Sequence, residues 1–180
     1  MVYLFLADGF EEIEALCVLD LLRRAGVSVK TVGVSGKVAT GSHNIPVTCD
    51  ITENELDVSG DFEAVILPGG LPGSTNLDSS AVVDTMVKRA YNESKLVCAI
   101  CAAPFILGKR GILKGKRAIC YPGFENQLEG ATVVNAGVVR DGNVITGRAM
   151  GSATDFGLEI VEALCGKEMR EKLKGAILYF

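Results

Sequence analysis

Lys95-Leu96-Val97-Cys98-Ala99-Ile100-Cys101-Ala102-Ala103-Pro104 is the stretch on which the fold turns. Its first half, Leu96 to Ile100, is a short continuous apolar run, the pattern of a strand buried on both faces of a parallel sheet. Its second half is built of small residues that open a helix predicted from Ala102 to Gly111. Where a strand bends sharply into a helix, the side chain at the bend is pushed out of the sheet. The first N–H groups of the helix then face whatever that side chain holds. Cys101 stands at this bend. The positive end of a helix favours thiolate over thiol, and a thiolate is a nucleophile, a metal ligand or a target of oxidation.

Outward from this stretch, strand and helix patterns alternate. Val2–Ala7 is an apolar run ending in Asp8-Gly9. Glu11 to Ala25 reads as a helix, with Ile13, Leu16, Cys17, Leu21 and Leu22 at helical spacing and Gly26 as its stop. Val27–Val34 is a second strand, and Gly36 to Asp50 is turn-rich with short extended pieces. Phe62–Leu67 is another buried strand, closed by Pro68-Gly69-Gly70-Leu71-Pro72-Gly73. Ser80–Asn92 is helical, Lys116–Cys120 a short strand and Gly123–Gly130 a short helix. Val138–Thr146 alternates around Asp141-Gly142, a hairpin signal. Ser152–Leu164 is a helix and Lys167–Gly175 a polar helical tail. This order predicts an α/β fold, a mostly parallel sheet with helices on both faces. No linker or repeat divides residues 1–180, so one domain is expected. Ligands on such sheets bind beyond the carboxyl ends of the strands. Asp8 to Glu14, Gly69-Gly70 and Cys101 all fall at such ends.

Composition narrows the function. The net charge is −4 with both signs mixed along the chain. There is no basic stripe, which argues against nucleic acid as a partner. No apolar run approaches the ~18 residues of a membrane span. The first eight residues read as a strand rather than a leader, so a cytoplasmic protein is expected. Five of the six cysteines (Cys17, Cys49, Cys98, Cys120 and Cys165) are read as small buried hydrophobes. Cys98 and Cys101 are spaced like a redox pair or half a zinc site. Residues three apart in a strand point to opposite faces, and structural zinc wants four ligands where the chain has a single histidine. No metal and no cofactor are therefore expected.

Around Cys101 the candidates are few. Glu14 lies nearer the apolar face of its helix than Glu11, so it is expected to be partly buried. A buried carboxyl holds its proton and can exchange it with a thiol. Its alternative is a solvated partner of the helix dipole, together with Glu11 and Glu12. Gly69-Gly70 is either a plain turn or an oxyanion site in which the Gly70 N–H, unhindered by a Cβ, approaches a substrate oxygen. Ala102 would supply the second N–H. His43, in Gly41-Ser42-His43-Asn44, is either a surface residue or the imidazole of a Cys–His mechanism. A small pocket ringed by Phe10, Tyr121 and Phe124 is expected.

Gly9-Phe-Glu-Glu-Ile-Glu14-Ala, Leu67-Pro-Gly-Gly70 and Ala99-Ile-Cys101-Ala-Ala-Pro104 together resemble the ThiJ/PfpI superfamily, most closely its parkinsonism-associated deglycase branch. The resemblance runs from Met1 to the Ser152–Leu164 helix. It implies a flavodoxin-like three-layer sandwich, a homodimer, and Cys101 at a strained elbow. It implies a protonated Glu14 bonded to the sulfur, with the Gly70 and Ala102 amides facing an oxyanion or an oxidised sulfur. Two departures matter. Protease-like branches carry His directly after the nucleophile, where this chain has Ala102, which argues against peptidase chemistry. The deglycase branch often has a His before a Pro near the site, matched here by Tyr121-Pro122. His43 stands where some relatives send an Arg toward the partner subunit's pocket, which implies entry across a dimer interface.

The resemblance implies a glutathione-independent enzyme acting on reactive carbonyls. Cys101 adds to glyoxal or methylglyoxal and Glu14 shuttles a proton. The alternative is a redox sensor or chaperone-like protein whose Cys101 is oxidised to a sulfinate held by Glu14.

Overall fold

The computed structural model describes residues 1–179. Its elements, in chain order, are β1 (Val2–Leu6), α1 (Glu12–Arg24), β2 (Val29–Gly33), β3 (Val38–Thr40), β4 (Pro46–Thr48), β5 (Ile51–Thr52), β6 (Ala64–Leu67), α2 (Gly73–Ser79), α3 (Ala81–Asn92), β7 (Leu96–Ile100), α4 (Pro104–Lys109), β8 (Arg117–Ala118), β9 (Thr132–Val133), β10 (Val138–Asp141), β11 (Val144–Gly147), α5 (Ala153–Cys165) and α6 (Lys167–Ala176). Seven strands form one sheet in the order β10-β11-β7-β6-β1-β2-β5. Every neighbouring pair is parallel except the β10–β11 hairpin. The pairs β3–β4 and β8–β9 form two small separate sheets.

Alternation along the strands divides the core in two. Val2, Leu4, Leu6, Cys98 and Ile100 face α1, α5 and α6, where they meet Val18, Leu22, Phe156 and Leu173. Phe5, Val65, Leu67, Val97 and Ala99 face α2, α3 and α4, against Leu77, Met86, Phe105 and Ile106. The period of two along a strand produces this three-layer sandwich directly.

Strand order positions the site. The chain leaves β1 for β2 on one side, then returns to place β6 and β7 on the other. The crevice between the ends of β1 and β6 is therefore the topological switch point of the sheet. The segment after β1 and the Gly69-Gly70 turn after β6 both open there, with Cys101 one strand further on.

Several expectations need correction. The predicted Ala102–Gly111 helix starts only at Pro104, because residues 101–103 form a turn. The predicted Gly123–Gly130 helix is reduced to one 3-10 turn at Glu125–Gln127. Helix α2 was not anticipated at all. Phe10 is fully buried in the core, so it does not ring the pocket. Cys165 is exposed and Cys17 half-buried, so only Cys49, Cys98 and Cys120 are the small buried hydrophobes expected of all five. Leu19 and Leu22 of α1 are buried within the chain, where α1 packs against α5.

Candidate active site

Cys101 follows β7 directly, with φ at +65°. A residue with a side chain held in this region costs about 1–3 kcal/mol unless its surroundings fix it. Here both backbone polar groups are fixed. The Cys101 N–H donates to the Gly147 carbonyl at 2.9 Å, and the Cys101 carbonyl accepts from the Tyr121 N–H at 2.7 Å. The bend is thus pinned between the end of β11 and the segment after β8.

Glu14 comes from the first turn of α1 and is only 1% exposed. Its Oε2 accepts the Gly69 N–H at 2.8 Å. Its Oε1 is buried with no hydrogen-bond partner of its own, and the Cys101 thiol faces the same carboxyl. Burial pushes the Glu14 pKa up to about 7, against the opposing pull of Cys101 and the Gly69 N–H. Burial, then the charge and hydrogen bonding of the ionised Glu14 carboxylate, push the Cys101 thiol up to about 12. The Gly70 and Ala102 N–H groups pull it down. The thiolate expected from a helix start alone is therefore opposed by burial and by an ionised Glu14. When Glu14 is protonated its charge is gone and its O–H becomes a donor to sulfur. The two amides then act unopposed by the carboxylate, and the pair holds one proton between them.

The two glycines are sterically required. A Cβ on Gly69 would lie 2.5 Å from both the Cys101 Cβ and Glu14 Oε2. Gly70 has φ at +87°, and a Cβ there would collide with the Glu11 nitrogen and the Gly9 carbonyl. The Gly70 carbonyl accepts both the backbone N–H and the hydroxyl of Ser74, each at 2.9 Å. This fixes the orientation of the turn that carries the Gly70 N–H.

Glu11, Glu14, His43, Gly70, Cys101, Tyr121, Ala149, Met150 and Gly151 line a cavity of about 340 Å³. A larger cleft of about 430 Å³ lies at the opposite, amino-terminal edge of the sheet, among Glu63, Lys95, Arg140 and Asn143. None of the reactive groups is there. His43 lines the cavity of its own chain, with its side chain 70% exposed. Glu12 Oε1 accepts the His43 backbone N–H at 2.7 Å, and Glu12 Oε2 lies 2.9 Å from His43 Nδ1. That bond, reinforced by the charges of Glu11 and Glu12, raises the His43 pKa. Glu11, Glu12 and His43 bring three donor atoms within 4.8 Å of one another. Both Glu12 oxygens are already engaged with His43 and Ser42, so the cluster reads as an anchor for the 41–45 loop.

The structure thus brings together Cys101, Glu14, Gly69, Gly70, Ala102, His43 and Tyr121. Sequence reasoning missed Met150 and the burial of Glu12. Met150 follows β11 in a segment with no periodic signal. The partner of Glu12 is 31 residues away.

The comparisons agree with this geometry. Residues 1–163 match the DJ-1/PfpI family. Over 179 residues the chain is 38% identical to protein dj-1beta of Drosophila melanogaster, covering 97% of this chain and 95% of that one. It is 34% identical over 161 residues to a Pyrococcus abyssi protein named a deglycase, covering 88% and 95%. A Toxoplasma gondii DJ-1 structure, described as oxidized, superposes with a TM-score of 0.94 at 31% identity, covering 99% of this chain and 97% of that one. A flavodoxin-like sandwich, a nucleophile bend and a match across nine-tenths of the sequence lead to one assignment: this chain belongs to the DJ-1/PfpI family.

Proposed function

We propose that the protein converts reactive 2-oxoaldehydes such as glyoxal and methylglyoxal to 2-hydroxy acids without glutathione. The observation that carries this reading is the buried Glu14 carboxyl, which faces Cys101 beside the Gly70 and Ala102 amides. The Cys101 thiolate adds to the aldehyde carbon, and the resulting oxyanion lies against those two N–H groups. Glu14 gives the oxyanion its proton, leaving a hemithioacetal and a carboxylate. The carboxylate takes the proton from the former aldehyde carbon and returns it to the neighbouring carbon, while the hydroxyl proton passes to the neighbouring carbonyl oxygen, which leaves a thioester on Cys101. Water cleaves the thioester to the 2-hydroxy acid, and the thiol–carboxyl pair keeps one of its protons. Neither metal nor organic cofactor enters these steps. The relative named a deglycase supports carbonyl chemistry at such a site.

A second reading rests on the same donors. Two equivalents of peroxide take a thiolate to a sulfinate. Protonated Glu14 and the two amides would hold it, and the oxidized Toxoplasma gondii relative favours this possibility. We further propose a homodimer, covered at the exposed Ile13, Ile45 and Met150 around the cavity mouth. All six cysteines are free thiols, which fits the reducing cytoplasm. Among the described residues no helix is long and apolar enough to cross a membrane.

The test is glutathione-free consumption of methylglyoxal by wild type, Cys101→Ala and Glu14→Gln. Turnover to lactate in wild type, lost in both variants, supports the enzyme. Wild-type turnover no higher than Cys101→Ala refutes it and leaves oxidation of Cys101 as the better account.

A further inference from the structure

Cys101 borders two recesses. The cavity of about 340 Å³ has Glu11, Glu14 and His43 on its wall. Beyond Gly70 and Tyr121 lies a second recess of about 190 Å³, completed by Leu71, Ala102 and Phe124. Gly70, Cys101 and Tyr121 wall both; Glu14 walls only the first, and no charged side chain lines the second. One side of the second recess is tied to the core, while Leu71 and Tyr121 on its rim are half exposed. Tyr121 is tied through its N–H to the Cys101 carbonyl, and the Phe124 N–H donates to the Tyr121 carbonyl at 3.1 Å. The Phe124 ring also packs on buried Phe105 of α4, with centroids 6.3 Å apart.

The geometry points to this recess as the subsite for an apolar substituent on the substrate: we propose that the protein prefers 2-oxoaldehydes bearing an alkyl or aryl group to glyoxal itself. The inference rests on the carbonyl chemistry proposed above and deepens it. In the Cys101 adduct the oxyanion lies toward Gly70 and Ala102, and the migrating proton must lie toward Glu14. Glu14 must also reach the neighbouring carbon to return that proton, so it is the alkyl or aryl group beyond this carbon that points away from Glu14, toward the recess that Glu14 does not wall. A charged substituent would lose its water there without a side-chain partner, whereas an apolar one gains by burial. At ~30 Å³ per water in the liquid, the recess has room for a phenyl ring or a short alkyl chain.

The test is kcat/KM along a straight-chain series of 2-oxoaldehydes from methyl to hexyl, without glutathione and with Cys101→Ala as the blank. Each buried methylene is expected to raise wild-type kcat/KM about fourfold, ~0.8 kcal/mol converted at 1.36 kcal/mol per tenfold. The rise levels off once the recess is filled. Leu71→Trp, which fills it, is expected to level off near methyl. Phe124→Ala, which widens it, is expected to level off at longer chains. Each variant is scaled to its own methylglyoxal rate, and the wild-type series decides the question even if a variant fails to fold. A flat or falling wild-type series alongside measurable methylglyoxal turnover overturns the subsite and leaves the carbonyl reading standing. No turnover of any member overturns the carbonyl reading and the subsite with it.

Discussion

Gly69→Ala is the sharpest single perturbation of the site, because it adds one methyl group and changes no charge. The new Cβ would sit 2.5 Å from the Cys101 Cβ, 2.5 Å from Glu14 Oε2 and 3.0 Å from the Ile100 carbonyl oxygen. Comfortable contacts between such atoms begin near 3.5 Å, so Cys101 and the Glu14 carboxyl must each withdraw from the new methyl by about 1 Å. Two of these neighbours are a Cβ and a backbone oxygen, and the third, Glu14 Oε2, ends a side chain held by burial and by the Gly69 N–H. Cys101 is pinned through its backbone at both sides, and Glu14 is buried on α1. Overpacking of this kind costs about 1–3 kcal/mol. At about 2–4 °C per kcal/mol for a chain of this size, the melting temperature should fall by roughly 2–12 °C. Catalysis should suffer more, since a misplacement of about 1 Å between reacting groups costs on the order of 100-fold. The assay pairs thermal unfolding with kcat/KM for methylglyoxal, and adds the rate of Cys101 alkylation by iodoacetamide as a readout independent of substrate. Gly69→Ala with wild-type turnover and alkylation would refute the close approach of Glu14 and Cys101 on which the mechanism depends.

Two further predictions concern stability. Arg110 is 8% exposed and bonds to Asp78 on α2, to Asp84 on α3 and to the Ile106 carbonyl of α4; Arg110→Ala leaves Asp78 with Lys109 as its remaining cation and should cost about 1.5–3 kcal/mol in urea unfolding, and a loss under 1 kcal/mol would mean the network is ornamental. Burial raises the Glu14 pKa from its ordinary 4.5 to about 7 in the folded protein, so the native state binds the extra proton between these values. Its stabilising contribution is complete below pH 4.5 and is lost as pH rises through 7, a change of about 3 kcal/mol at 1.36 kcal/mol per unit. Glu14→Gln should therefore be more stable than wild type at pH 8 relative to pH 5 by about that amount, and parallel pH–stability curves for the two proteins would contradict the burial argument.

The parts legible in the sequence were those written in local pattern. Leu96–Ile100 reads as a buried strand and is one, because both of its faces meet helices. Pattern also placed Glu14 nearer the apolar face than Glu11. Helix α2 was invisible because Leu77 is its only buried large apolar residue. Its other buried positions are Gly73 and Ser74, and Ser74 serves Gly70. One residue does not make a period. Glu12 looked like a solvated first-turn acid, yet it is buried because the 41–45 loop, reached only through a separate hairpin, supplies its donors. Cys165 was misjudged for the opposite reason. It ends the apolar stripe of α5, and nothing nearby in sequence shows that the chain, turning at Gly166 into α6, leaves it uncovered.

The site does not make its thiolate in the way the bend alone suggests. A helix start beside a thiol lowers its pKa by adding positive potential, yet α4 spans only Pro104–Lys109 and begins three residues after Cys101. Burial raises the thiol and the acid together, so a low-dielectric pocket tolerates one negative charge and not two. The choice of which group carries it falls to the neighbours. Glu14 receives two backbone N–H groups, from Gly69 on Oε2 and from Met150. Cys101 is favoured by two, from Gly70 and Ala102, and gains a third when the proton moves to Glu14. The backbone donors match in number, so charge on sulfur depends on the Glu14 O–H as a third donor, and the same proton is then positioned to neutralise an oxyanion or to hold a sulfinate. A Cys–His pair reaches the same state by giving the proton to an imidazole that stays charged. Here the acceptor becomes neutral, which is why an Ala can follow the nucleophile at position 102.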